Sequence, residues 1–369
     1  MLTTIVFIII LGLLIFVHEL GHFVTARRNG IKAEEFGFGF PPRAFGFLKD
    51  EKTGKWKFIP GNREVTSKNT LYSMNWIPLG GFVRIKGEGG DNKGDADSFA
   101  AKGAWPRIKV LAAGVIMNFI FAWFLIAIAL MIGVPHEFAN IIDPNSEIVV
   151  SQVSPDSPAE RAGLKVGDQI ISDQGAVQVK NENDFLAYIN AKKGQEIVLN
   201  IERNGQSLDF KLTPRVDVPE GQGPIGIAFG GGIKNYVWYD AIWKGFLGVI
   251  YLIGLTLFTL FIVVKNLLLG QAAGIEVAGP VGIFKLTGQA VQFGLVPTIL
   301  FTSILSINLG IINALPIPAL DGGRILFILI EKIKGRPVQQ KTEQLLHTIG
   351  FILLIMLMVF ITVREVFMK

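Results

Sequence analysis

His18 and His22 stand four residues apart, with Glu19 beside the first, in the run FVHELGHF. On a helix that spacing puts both imidazoles on one face. Two imidazoles so placed can hold Zn²⁺, and a carboxylate next to them can take a proton from a water on the metal. Half of the chain's 4 histidines lie here, inside an apolar segment where ionisable groups are rare and usually functional.

Two imidazoles do not complete a hydrolytic zinc site, which uses three protein ligands and leaves a position for water. His136 follows the second apolar run and His347 begins the last one. A better third ligand is Asp321 in NALPIPALDGGR, at the end of an apolar run and three residues before Arg324. His22 precedes Arg27 by five residues, ~7 Å along a helix. Both parts therefore sit just inside the same basic, cytoplasmic face. The plain alternative for Asp321 is a turn or helix cap in LDGG.

The elements that carry these residues are membrane spans. Half of the 369 residues are hydrophobic and only 18% are charged. Apolar runs cover about 4–26, 107–132, 240–269, 297–320 and 346–363. The first is read as a spanning helix rather than a leader, since no basic region precedes it, no A-x-A site follows and it ends in Arg27-Arg28. The net charge of +5 is not gathered in one stripe, so no nucleic-acid partner is expected; many basic residues flank apolar runs, where they set orientation. The absence of cysteine excludes disulfides and thiolate metal sites. Between the first two spans, NWIPLGGFVRIKGE reads as a hairpin around Gly80-Gly81, and GDNKGDADSFAAKG as a solvated, mobile connector. Residues 145–230 alternate strand-like runs with turns and one short helix near Glu182–Asn190.

With these motifs in view, the chain resembles the site-2 protease family of intramembrane zinc metalloproteases, in its regulator of sigma-E branch with a single PDZ domain. HELGH at 18–22 and NxxPxPxLDGG at 313–323 carry the resemblance, with GGFVRIKGE at 80–88 and GPVGIF at 279–284. It implies that His18, His22 and Asp321 bind Zn²⁺, that Glu19 is the general base and that Asn313 helps hold substrate. It also implies a bacterial cytoplasmic-membrane protein cutting transmembrane segments of single-pass proteins such as anti-sigma factors or signal-peptide remnants. VSPDSPAERAGLKVGDQIIS resembles a PDZ domain in permuted strand order, with its peptide-tail loop near 223–229.

Peptide hydrolysis inside a membrane needs an unwound substrate, and an exposed strand edge can hold one extended. Gly80, Gly81, Phe82, Val83 and Ile85 are the expected edge, and Pro316 and Pro318 would keep the segment before Asp321 extended. Parity constrains the third run: if Asp321 ends near the cytoplasm, 240–269 lies along the outer lipid surface or re-enters without crossing. The expectation is a polytopic α-helical membrane protein with four transmembrane helices, a membrane-associated β-hairpin and an extracytoplasmic α+β PDZ domain. Its parts are 1–132 with the first two spans, 145–230 as the PDZ domain, 231–296 as a peripheral helix and Gly-rich link, and 297–369 with the last two spans. Two other readings stay open. One is a non-catalytic PDZ scaffold binding C-terminal tails, which an intact Glu19 opposes. The other is a membrane-anchored zincin acting outside, which Arg27-Arg28 opposes.

Overall fold

A computed structural model of the protein describes residues 1–142, 148–173, 182–219, 221–230, 233–271, 278–336 and 338–367. Parts of the expected PDZ domain, 145–147 and 174–181, and part of the Gly-rich link, 272–277, lie outside the described residues. In chain order the elements are α1 (Leu2–Arg28), β1 (Ala33–Lys49), β2 (Trp56–Pro60), β3 (Leu71–Ile85), α2 (Ala104–Ile132), β4 (Val134–Pro135), α3 (His136–Ile142), β5 (Ile148–Val153), α4 (Pro158–Ala162), β6 (Gln169–Asp173) and α5 (Glu182–Ala191). There follow β7 (Ile197–Arg203), β8 (Gln206–Leu212), β9 (Ile227–Phe229), β10 (Ile233–Lys234), α6 (Trp238–Leu268), α7 (Pro280–Phe293), α8 (Leu295–Ala314), α9 (Asp321–Lys334) and α10 (Gln340–Phe367). They form two compact units, Met1–Ile126 with Val249–Lys369, and Ala127–Gly248.

Five helices among the described residues, α1, α2, α6, α8 and α10, are long and apolar enough to cross a membrane. Four of them were expected to do so. The fifth is α6, whose 31 residues would permit a crossing by length alone. The expected span 297–320 is shorter at its far end. Leu315 leaves the helix in extended conformation, as the residue before a proline does. The chain resumes helix only at Asp321.

The two ends of the first unit differ. At one end α7 lies against the start of α1 and the end of α10: Phe7 meets Phe284 edge-on at 5.4 Å, and the Gly279 N–H donates to Glu365 at 2.6 Å. At the other end Ala26, Val110 and Ile328 share a buried apolar cluster that joins α1, α2 and α9. The basic residues Arg27, Arg28, Arg107, Lys332 and Lys334 lie on elements at this second end.

The loop between α1 and α2 folds as a three-stranded sheet of order β2-β1-β3. The expected hairpin around Gly80-Gly81 is instead one strand, β3, whose partner is β1. Phe36 stands opposite both Val83 and Tyr72, so the two halves of β3 flank the same stretch of β1. Gly80, at φ +76°, lets the strand kink without a two-residue turn. Phe16 and Phe23 of α1 pack on Phe36, Tyr72 and Val83. Phe40, Trp76 and Ile77 remain exposed on the sheet. The expected mobile connector is tied down: Lys86 pairs with Asp95 at 2.8 Å and Asp97 at 2.7 Å, and Phe99 is buried.

In the second unit a five-stranded sheet runs β8-β7-β6-β5-β9. Its core is Val150, Phe185, Leu199 and Ile201. The late strand β9 lies beside the early β5, and Phe185 of α5 meets Phe229 of β9 edge-on at 5.3 Å. Asp168 is buried and gripped by Arg203 through two hydrogen bonds of 2.6 and 2.7 Å.

Candidate active site

The site forms where α1 and α2 approach closely. Gly21 faces the Ala113 carbonyl with no room for a side chain between them. On α2, a Cβ at Gly114 would fall 2.6 Å from His22 Nε2 and 2.7 Å from His18 Nε2. Glycine at 114 therefore leaves the space into which both imidazoles project.

Asp321 reaches the same point from α9. It is the first residue of α9, and Gly322 and Gly323 behind it lie directly on the backbone of Ala314, Leu315 and Ile317. That close packing explains the two glycines of LDGG. His18 Nε2 is 3.0 Å and His22 Nε2 3.3 Å from Asp321 Oδ2, and the two Nε2 atoms are 3.1 Å apart. Burial alone would raise the Asp321 carboxyl, but the two imidazoles outweigh it and hold it well below the usual carboxylate range. As a metal ligand the carboxyl would bind in its ionised form.

These donors fit a tetrahedral zinc. Bonds of ~2.0–2.1 Å at tetrahedral angles separate donor atoms by about 3.3–3.4 Å, close to the three separations here. The outer nitrogens are engaged too. His22 Nδ1 donates to the Val110 carbonyl at 2.8 Å, which leaves the Nε2 lone pair for a metal. His18 Nδ1 meets the Asn118 amide at 3.1 Å. Glu19 lies beside the donors, and its Oε2 accepts the Val83 N–H at 3.1 Å.

A cavity of 530 Å³ opens over these groups. His18, Glu19, His22, Asn313 and Asp321 line it, with Val83 and Ile85 on the side of the sheet. The other expected substrate residues lie elsewhere. Gly80 and Gly81 pack on Ile15 and Phe16 of α1, and Phe82 lies against Gly37. Pro316 faces a separate apolar pocket with Val115 and Leu329, and Pro318 packs under Gly350 of α10. A second cavity of 550 Å³ shares Glu88, Arg324 and His347 with the first, and Glu88 and Arg324 form an ion pair at the shared wall.

Gly114, Asn118 and the Glu88–Arg324 pair were not anticipated from sequence. Asn118 carried a signal, since it is a polar amide inside an apolar span, four residues after Gly114 and so on the same helical face. The ion pair carried none, because its partners are 236 residues apart.

The sequence matches Peptidase family M50 over residues 6–63 and 58–357. A zinc metalloprotease RasP from Oceanobacillus iheyensis is 30% identical over 99% of each chain. The regulator of sigma-W protease RasP from Bacillus subtilis is 30% identical over 99% of this chain and 98% of its own. A putative zinc metalloprotease from Clostridium perfringens is 34% identical over 96% and 95%. Among solved structures, the PDZ domain of an SdrC-like protein from Listeria monocytogenes is 26% identical over 22% of this chain and 85% of that one, at a TM-score of 0.20, too low to carry an argument. With the family match running almost end to end, and relatives of this identity covered over nearly their whole length, the chain belongs to peptidase family M50.

Proposed function

We propose that the chain is an intramembrane zinc endopeptidase that cuts within transmembrane segments of single-pass membrane proteins, anti-sigma factors among them. The observation that carries this reading is the convergence of His18, His22 and Asp321, with Glu19 beside them, in one cavity among apolar helices. His18 Nε2, His22 Nε2 and an Asp321 oxygen would hold the zinc, which when bound acidifies a water and polarises a carbonyl. The relatives named as zinc metalloproteases support that choice of metal.

Glu19 takes the proton of the attacking water and returns one to the departing amine. Its tie to the Val83 N–H keeps the carboxylate turned toward the donors. The same tie marks the outer edge of β3. Lys86 N–H pairs inward with Lys32, so alternation turns the backbone groups of Gly81, Val83 and Ile85 outward. An unwound substrate pairs with that edge where Val83 and Ile85 line the cavity. Asn313, which also lines the cavity, offers its amide to the extended backbone.

Four helices cross, with α6 peripheral, and the active site lies near the cytoplasmic face where the basic residues gather. Residues 145–230 are an extracytoplasmic PDZ domain. Their strand order supports this, and the edge of β9 beside α5 offers a groove for a peptide tail. The test of the central reading is Glu19→Gln. The purified variant should keep about one zinc and lose cleavage by orders of magnitude; substantial turnover would remove Glu19 from the role of base.

A further inference from the structure

The third donor residue, at the start of α9, directly follows a short, irregular connection, residues 315–320, from α8. Within it Ala319 adopts φ +80°, in the left-handed region that a residue with a Cβ rarely occupies. Such a conformation persists only where surroundings hold it. The hold comes from α10, a helix that carries none of the donor residues. The Ala319 N–H donates to His347 Nδ1 at 2.8 Å. Three residues on, Gly350 lies directly on the Pro318 carbonyl. The His347 ring also rests against Phe327 of α9, with centroids 5.5 Å apart.

The hydrogen bond fixes the tautomer. Nδ1 accepts, so the proton of the neutral ring is on Nε2, which points toward Glu343 at 3.9 Å. His347 is therefore not a donor to a metal held by His18, His22 and Asp321. It acts one step back, on the backbone two residues before Asp321. The same helix reaches the loop after the substrate-facing strand, where Gln340 donates to the Gly89 carbonyl at 2.7 Å.

We propose that His347 is a positioning residue: by accepting the Ala319 N–H it holds the strained connection that presents Asp321 to the metal. This rests on the reading of Asp321 as a ligand. An apolar residue at 347 leaves a half-buried N–H without its acceptor and lets residues 315–320 relax, so Asp321 is displaced. The metal should then be held by two imidazoles and a misplaced carboxylate. Loss of an outer-shell partner of a metal ligand typically weakens metal binding about 10- to 100-fold.

The experiment measures zinc affinity by chelator competition on the full-length protein in detergent, for wild type, His347→Leu, His347→Asn and Asp321→Asn. Asparagine places an oxygen close to the position of Nδ1, so it restores the acceptor without the ring. We expect His347→Leu to lose about 10- to 100-fold in affinity, and His347→Asn to recover most of it. Wild-type affinity in His347→Leu, alongside a loss in Asp321→Asn, would overturn the positioning role while leaving the site intact. Equal losses in the Leu and Asn variants would also overturn it, because ring packing on Phe327 would then be what matters. Unchanged affinity in Asp321→Asn would instead overturn the ligand reading beneath the proposal.

Discussion

The amide of Asn118, on α2, lies 3.1 Å from Nδ1 of His18, on α1, with both side chains buried. An amide can present either its oxygen or its nitrogen at such a place. The structure sets Asn118 Nδ2 there and leaves its oxygen without a partner; with the amide turned over, the oxygen accepts from His18 Nδ1–H and the Nε2 lone pair faces Asp321 and His22, as a metal ligand requires. The Ser306 hydroxyl donates to the Asn118 backbone carbonyl at 2.8 Å and ties this part of α2 to α8. Asn118→Leu should therefore lower zinc affinity by about 10- to 100-fold, and Asn118→Asp, which can only accept, should retain it. Chelator competition checks both. Equal affinity of the Leu variant and wild type would show that the amide does not orient His18.

Gly114→Ala should abolish metal binding. Its Cβ would stand 2.6–2.7 Å from both Nε2 atoms, closer than real contacts allow. Either the imidazoles turn away or α1 and α2 separate, and both outcomes break the donor set. Gly94, where an added Cβ would meet nothing within 4 Å, is the control: Gly94→Ala should keep its zinc. Metal content of the two purified variants decides the matter, and normal zinc in Gly114→Ala would contradict the close approach.

Val83 offers its N–H to Glu19 and its edge to the cavity. Val83→Pro removes that N–H and interrupts the edge, so cleavage should fall strongly while zinc content stays normal. Val83→Ala keeps the backbone groups and should lose much less. Cleavage of a transmembrane-segment substrate, measured beside metal content, separates the two. Equal effects of alanine and proline would point to side-chain packing.

Positions near 235 and 290 should both report the outer side when labelled in intact cells. Parity requires it. α7 lies at the end where α1 begins and α10 ends, and Asp321 must return to the opposite end through α8 alone. If 235 and 290 report opposite sides, α6 crosses, and parity no longer brings Asp321 to the face of HELGH.

The spans, HELGH and LDGG were legible from sequence because each is a local signal. Apolar runs of membrane length, a four-residue spacing and a pair of glycines can be read without knowing what lies nearby. The strand-like runs at Ile148–Val153 and Ile197–Arg203 were legible for the same reason. The fold of the loop after α1 was misread at Gly80-Gly81. There the deciding partner, β1, is about forty residues upstream, and a glycine pair permits a kink as readily as a turn.

By itself, then, the sequence determined which chemical groups the chain carries: two imidazoles, a carboxylate beside them and an acid at the end of an apolar run. Only the tertiary structure decided that His18 and Asp321, 303 residues apart, bring their donor atoms within 3.0 Å. It also decided that Gly114 clears the space for the imidazoles, that Asn118 meets His18 from α2, and that α10 grips the connection before Asp321. The physical reason is that helix periodicity and hydrophobic length are properties of neighbouring residues. A ligand cluster is a property of packed backbones, and a glycine or an amide acquires its role only from what the fold places against it.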